Sequence, residues 1–319
     1  MSIKSELKNF FTDHWKYLAV STACKLNLFD EVKIGNSPRD IAEKNKWDLK
    51  KLYVLFDALA EIDFLTKAKN GFQLNEYSEL LTEDHENSLK YACQIWSSDH
   101  LTSWQKLPAL IKKGKSPFIE EKHEPFFRYL ENDLEKLVEY HKAMFEYARD
   151  DYINICDKIN FNKIDSVLDV GGGFGALIQI VKNKHPVIDC HLLDLKQVIR
   201  QYELKDIQLH EGDFFKSIPE VANTLILSRI LHDWDDESAI TILKNCYTSI
   251  PENGKLFIIE NCIDEFSSNL PLLSLNMALM CDSFERTTTQ FKKLANIAGF
   301  SMIEKTPLNE LQTILAFEK

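Results

Sequence analysis

Four glycines in five positions, Gly171, Gly172, Gly173 and Gly175, follow the apolar run Val167 to Val170 and precede an apolar segment that begins at Ala176. Glycine adopts positive φ and lets a ligand approach the main chain with no Cβ in the way, so this stretch reads as strand, ligand-binding turn and helix. Gly171, Gly173 and Ala176 also fit the G-x-G-x-x-A spacing of a dinucleotide fingerprint, with Asp194 about 20 residues on. No lysine or arginine lies within the glycine turn. Acidic residues gather around it instead, at Asp169, Asp194 and Asp213.

The surrounding pattern alternates strand and helix: Val167 to Val170, a helix to Lys184, Ile188 to Leu193, a short helix near Gln197, Ile207 to Leu209, Thr224 to Leu227, a helix from Glu237 to Ile250, and Leu256 to Ile259. This predicts a parallel sheet with helices on both faces, whose ligand lies beyond the carboxyl ends of the strands. Gly171, Asp194, Asp213 and the segment Ser228 to Asp233 fall there. Helix N-termini alone could hold a pyrophosphate, but three carboxylates suit a ligand with cationic groups and a ribose diol better. S-adenosylmethionine is favoured over a nicotinamide dinucleotide on this ground.

The chain of 319 residues has room for two domains, and its net charge of −11 argues against a nucleic-acid partner. Charged residues through the first 16 positions leave no signal-peptide core, and no run is apolar enough to span a bilayer, so a cytoplasmic protein is expected. The seven cysteines are scattered without C-x-x-C spacing, which fits reduced thiols and no metal site.

Ahead of the glycine stretch, Leu7 to Leu28 carries Phe10, Phe11, Trp15, Leu18 and Ala19 at helical spacing and is more apolar than a surface helix requires. Ser37-Pro38-Arg39-Asp40 reads as a capping box, Asp48 as the cap of a helix with Leu52, Phe56 and Leu59 on one face, and Lys69-Asn70-Gly71 as a hairpin turn. Helices followed by a hairpin make a winged-helix pattern. Its last helix carries Asp57 and Glu61 and only Lys50 and Lys51 as a basic pair, so a second copy of the chain is a better partner than a DNA groove. The domains expected are 1–100, for dimerisation, and 101–319, for the ligand. Residues between His100 and Asn160 read as further helices, with Leu134 to Ile159 as the last, carrying Met144 and Phe145; the apolar and aromatic side chains here fit a packed core, and a connecting helix of this kind could equally close one wall of a pocket.

Leu168-Asp169-Val170-Gly171-Gly172-Gly173-x-Gly175, Asp194-Leu195, Gly212-Asp213-Phe214-Phe215, Leu231-His232-Asp233-Trp234, Glu260 and Glu285-Arg286-Thr287, in that order, resemble the small-molecule O-methyltransferases of plant phenylpropanoid and bacterial natural-product metabolism. The resemblance covers nearly the whole chain. It implies a Rossmann-like α/β class I methyltransferase domain behind a winged-helix-like, helical dimerisation domain, with S-adenosylmethionine as cofactor and a small aromatic hydroxyl as acceptor. Asp169 would belong to the cofactor site, Gly171 and Gly173 would shape its methionine end, Asp194 would hold the ribose, and Asp213 with Phe214 the adenine. Ser228 falls where plant members usually carry a lysine near the adenine, with Arg229 beside it. His232 would be the general base, bracketed by Glu260 and Glu285. A phenol with pKa near ~10 is mostly protonated at neutral pH, so an imidazole that accepts its proton as the methyl moves makes the oxygen a competent nucleophile. The same scaffold could also hold the cofactor for a decarboxylase, hydroxylase or cyclase.

Overall fold

The computed structural model describes residues 2–69, 71–265 and 270–319. The chain divides into two compact units, 1–99 and 100–319.

In the first unit the expected single helix from Leu7 is two, Ile3–Phe10 and His14–Lys25. The break falls where the Thr12 hydroxyl donates to the Asn9 carbonyl at 3.1 Å, a side-chain bond that competes with the helix ladder. Ser37 makes the full capping box at the start of the helix Pro38–Asn45, and Asp48 caps Leu49–Glu61. With the helix Leu28–Lys33 between them, these helices bury Ala23, Leu28, Phe29, Leu52, Phe56 and Leu59 together. The hairpin pairs strand β1 (Thr66–Ala68) with β2 (Gly71–Gln73); Asn70 of its turn lies outside the described residues. Phe10, Phe11 and Trp15 remain 71%, 64% and 64% exposed, and the Phe10 and Phe11 rings meet edge to face with centroids 6.5 Å apart.

The second unit is built on seven strands: β3 (Ser166–Val170), β4 (Asp189–Asp194), β5 (Gln208–Glu211), β6 (Thr224–Ser228), β7 (Lys255–Asn261), β8 (Ser301–Pro307) and β9 (Gln312–Glu318). Their order is β5-β4-β3-β6-β7-β9-β8. The first five are parallel; β9 runs antiparallel between β7 and β8, a closing hairpin that the expectation of a parallel sheet did not contain. Alternation along the strands sends Leu168, Val170, Leu225, Leu227, Leu256 and Ile258 to one face and Val167, Leu192, Ile226, Phe257 and Ile259 to the other. Both faces are covered by helices, which is why these strands read as near-continuous apolar runs. The helix expected over Leu134 to Ile159 stops at Asp151, and Ile155–Lys158 forms a separate turn. No helix among the described residues is long and apolar enough to cross a membrane.

The glycine turn joins β3 to the helix Ala176–Lys184. Gly175 caps that helix at φ +76°, and a Cβ there would lie 2.5 Å from Leu204 Cδ1. Gly175→Ala is therefore expected to destabilise the fold by about 1–2 kcal/mol, seen as a fall of a few degrees in the thermal midpoint by calorimetry.

Candidate active site

The strand order reverses at β3, with β4 on one side of it and β6 on the other, which opens a crevice at the carboxyl ends of all three. A cavity of about 760 Å³ occupies this position. Asp169, Gly171, Gly173, Asp194, Asp213, Phe214, Ser228, Arg229 and His232 all line it. Glu260 and Glu285 do not; they stand behind His232, fully and almost fully buried.

Gly171 and Gly173 hold φ of +75° and +56°, and a Cβ on Gly171 would strike Ile230 Cδ1 at 2.5 Å. The turn is tied to the next strand by Asp194, whose Oδ2 accepts from Gly173 N at 2.8 Å and whose Oδ1 accepts from Leu195 N at 2.7 Å. Tyr202 Oη donates to the Gly173 carbonyl. Asp213 accepts from Phe215 N at 2.9 Å and faces Lys216 at 3.2 Å, so it fixes the turn that presents Phe214. Ser228 Oγ donates to Tyr152 Oη at 2.6 Å, and Arg229 points back to Asp151 at 3.4 Å. Burial pushes the Asp169 carboxyl up to about 7, helped by the nearby Asp194 charge. Asp194 rises to about 6, again through burial, with the Leu195 and Gly173 amides pulling the other way.

His232 sits on a one-turn 3₁₀ helix, Leu231–Asp233, directly after β6. Its Nδ1 lies 2.8 Å from Glu285 Oε1. Glu260 does not bracket the ring with a second hydrogen bond. Its Oε1 accepts from Ile230 N at 3.0 Å and Leu231 N at 2.8 Å, so it fixes the main chain that carries the ring. Two more residues complete the clamp. Ser283 Oγ donates to the His232 carbonyl at 2.6 Å, while Arg286 donates to the carbonyls of Leu231 and Trp234, both at 2.7 Å. Thr287 opens the following helix with a capping box, which fixes where Glu285 and Arg286 leave the chain. Burial alone would lower the imidazole pKa, but the carboxylates of Glu285, Asp233 and Glu260 outweigh it and raise it to about 10. Burial lifts Glu260 to about 7. His232, Glu260 and Glu285 bring one possible ligand atom each within 4.8 Å of one another; Nδ1 and both Oε1 atoms are committed to hydrogen bonds within the protein, while Glu260 Oε2 and Glu285 Oε2 have no partner among the described residues.

Sequence reasoning passed over Ser283 and the clamp role of Arg286, whose only signal was their place beside Glu285. It also missed Tyr140 and His141, polar rings that line the cavity from the helix Leu134–Asp151, and Phe127, which packs 5.6 Å from Trp234. Met144 and Phe145 of that helix do line the cavity wall.

A model of the O-methyltransferase domain matches residues 104–301, well over half of the chain. The chain belongs to the O-methyltransferase family. It is 26% identical to phenazine O-methyltransferase PhzM of Lysobacter antibioticus over 96% of this chain and 93% of that protein. The crystal structure of LaPhzM matches it with a TM-score of 0.94 at 24% identity, over 100% of this chain and 99% of that one. Human N-acetylserotonin methyltransferase, solved with S-adenosylmethionine, matches with a TM-score of 0.89 at 21% identity, over 100% and 98%. The methyl donor of this methyltransferase is S-adenosylmethionine, and the residues present fit it. Gly171 leaves no space for a side chain, the acidic rim suits a cation, and the cavity falls in the upper part of the size range of small-molecule sites.

The raised carboxyls make the site a burden on stability. For a folded pKa raised from 3.8 to about 7, the stabilisation is complete below pH 3.8 and is lost as pH rises through 7. Asp169→Asn removes the buried charge with little change of shape. Its thermal midpoint should exceed the parent's by roughly 5–10 °C at pH 8, with the gap closing towards pH 4, in melts followed by circular dichroism.

Proposed function

We propose that this enzyme transfers a methyl group to a hydroxyl of a small aromatic secondary metabolite, with His232 as the general base, and works as a homodimer. The observation that carries the reading is the placement of one imidazole, locked at Nδ1 by buried Glu285, in the wall of the cavity that the glycine turn and Asp194 also line. With its Nδ1–H directed at Glu285, the ring offers Nε2 to the acceptor's proton once it has given up its own second proton. When bound, S-adenosylmethionine supplies a methyl group already activated on a sulfonium. What remains for the chain is alignment and proton removal, and alignment can supply ~7–11 kcal/mol of a barrier. Asp194, Asp213 and Phe214 would hold the ribose and adenine, while Phe127, Tyr140 and Trp234 give an acceptor flat surfaces to lie against. The name of the Lysobacter relative supports a fused aromatic acceptor. The relatives described above are named as methyltransferases, which favours transfer over a non-methylating reaction on the same scaffold. Free thiols at all seven cysteines support a reducing, cytoplasmic setting.

His232→Ala should lower kcat by ~10²–10⁴, with part of the rate returning at high pH, where hydroxide ionises a phenol unaided. A base works when deprotonated, so a raised imidazole pKa makes the parent's kcat climb with pH above neutrality. Glu285→Gln removes one of the carboxylates that hold the proton on. That climb should then move to lower pH, while the plateau falls because the ring loses its fixed tautomer. Steady-state rates with labelled donor across pH 6–10 measure both effects. A loss under ~10-fold in His232→Ala, with an unchanged profile, would return His232 to a structural role.

For the dimer, the support is the exposure of three large apolar rings, Phe10, Phe11 and Trp15, within six residues of one another in the chain. Phe11→Glu with Trp15→Glu changes exposed positions only and should halve the mass seen in sedimentation without lowering the thermal midpoint of the second unit. An unchanged mass would place the contact elsewhere.

A further inference from the structure

On the cavity wall, the helix Leu134–Asp151 presents His141 to the glycine turn. A Cβ on Gly173 would meet His141 Nδ1 at 3.1 Å, so this ring nitrogen hangs directly over the turn. The ring is stacked on Phe174, with centroids 5.3 Å apart and planes 26° from parallel, and Phe174 is itself packed on Tyr202 at 4.9 Å. The imidazole is therefore held by ring contacts, stacked on Phe174 and edge-on to Tyr140. Neither of its nitrogens has a hydrogen-bond partner among the described residues, and the ring is part of the cavity lining rather than sealed in the core. A fixed polar ring with open nitrogens on a cavity wall is the pattern of a ligand contact, since a ligand that fills the cavity displaces water from those nitrogens and has to pair with them in its place.

Resting on the cofactor reading above, we propose that His141 holds the amino-acid end of S-adenosylmethionine, as a positioning residue for the methyl donor. Asp194 already occupies the Gly173 amide, so that N–H is not free to take the donor's carboxylate. A neutral imidazole offers one N–H and one lone pair, which match the carboxylate and ammonium of an amino acid without adding charge. Burial keeps this ring in that neutral form, lowering its pKa to about 4.

Calorimetry on the full-length protein with two probes tests this. S-adenosylhomocysteine and 5′-methylthioadenosine share adenine, ribose and sulfur, and only the first carries the amino acid. His141→Phe keeps a ring against Phe174 and loses both nitrogens. It should weaken S-adenosylhomocysteine binding roughly 10-fold or more while leaving 5′-methylthioadenosine within about two-fold of the parent. His141→Asn, which restores a donor and an acceptor, should recover part of the loss. Equal weakening of both probes, or unchanged S-adenosylhomocysteine binding in His141→Phe, would overturn the proposal. If the parent itself binds neither probe, the cofactor reading fails and the proposal fails with it, a result distinct from a loss confined to the variant.

Discussion

The 2.8 Å contact between His232 Nδ1 and Glu285 Oε1 sets terms that much of the second unit has to meet. An imidazole and a carboxylate this deep in the protein are held in register only if every segment leading to them is fixed. Glu260 fixes the main chain ahead of the imidazole through two amides, and Ser283 with Arg286 fixes it from behind through three carbonyls. Arg286 does this as a planar fork reaching several acceptors at once, a geometry that lysine could not copy. Glu260 lies on β7 and Glu285 precedes the helix Thr288–Ala298, so the base depends on two distant parts of the chain.

The same region gathers unfavourable charge. Burial raises Asp169, Asp194, Asp233 and Glu260 alike, and repulsion adds to it where the Asp194 charge meets Asp169 and where Glu285 meets Asp233 and Glu260. The apolar sheet beneath offsets this, with Leu168, Leu225, Leu227, Ile226 and Ile258 entirely out of water. A cationic ligand among these groups relieves the repulsion that the fold alone carries. Ligand binding and folding stability are linked through the same carboxylates.

Much of this was legible in the sequence because the glycine turn and the strand ends obey local rules. Gly171 and Gly173 need positive φ, Ser37 and Thr287 announce helix starts within four residues, and the buried strands are continuous apolar runs. What was not legible depends on contacts between distant segments. Nothing local to Glu260 says that it reaches main-chain amides rather than the imidazole. Nothing around Tyr140 or His141 separates a cavity wall from a solvated helix face. The break at Thr12 turns on one hydroxyl choosing a carbonyl three residues back, and the antiparallel β9 reads by composition like any other buried strand.

The place of β9 affects how the enzyme comes into being. Although β9 follows β8 in sequence, it lies inside the sheet, between β7 and β8. A chain emerging from the ribosome exposes the flank of β7, the strand that carries Glu260, until residues 312–318 have been made. Unpaired strand edges attract other chains, so this interval is when the nascent protein most needs a chaperone. It also means that the strand under the base gains its second neighbour only across some fifty intervening residues, so the brace on Glu260 is a late, long-range contact.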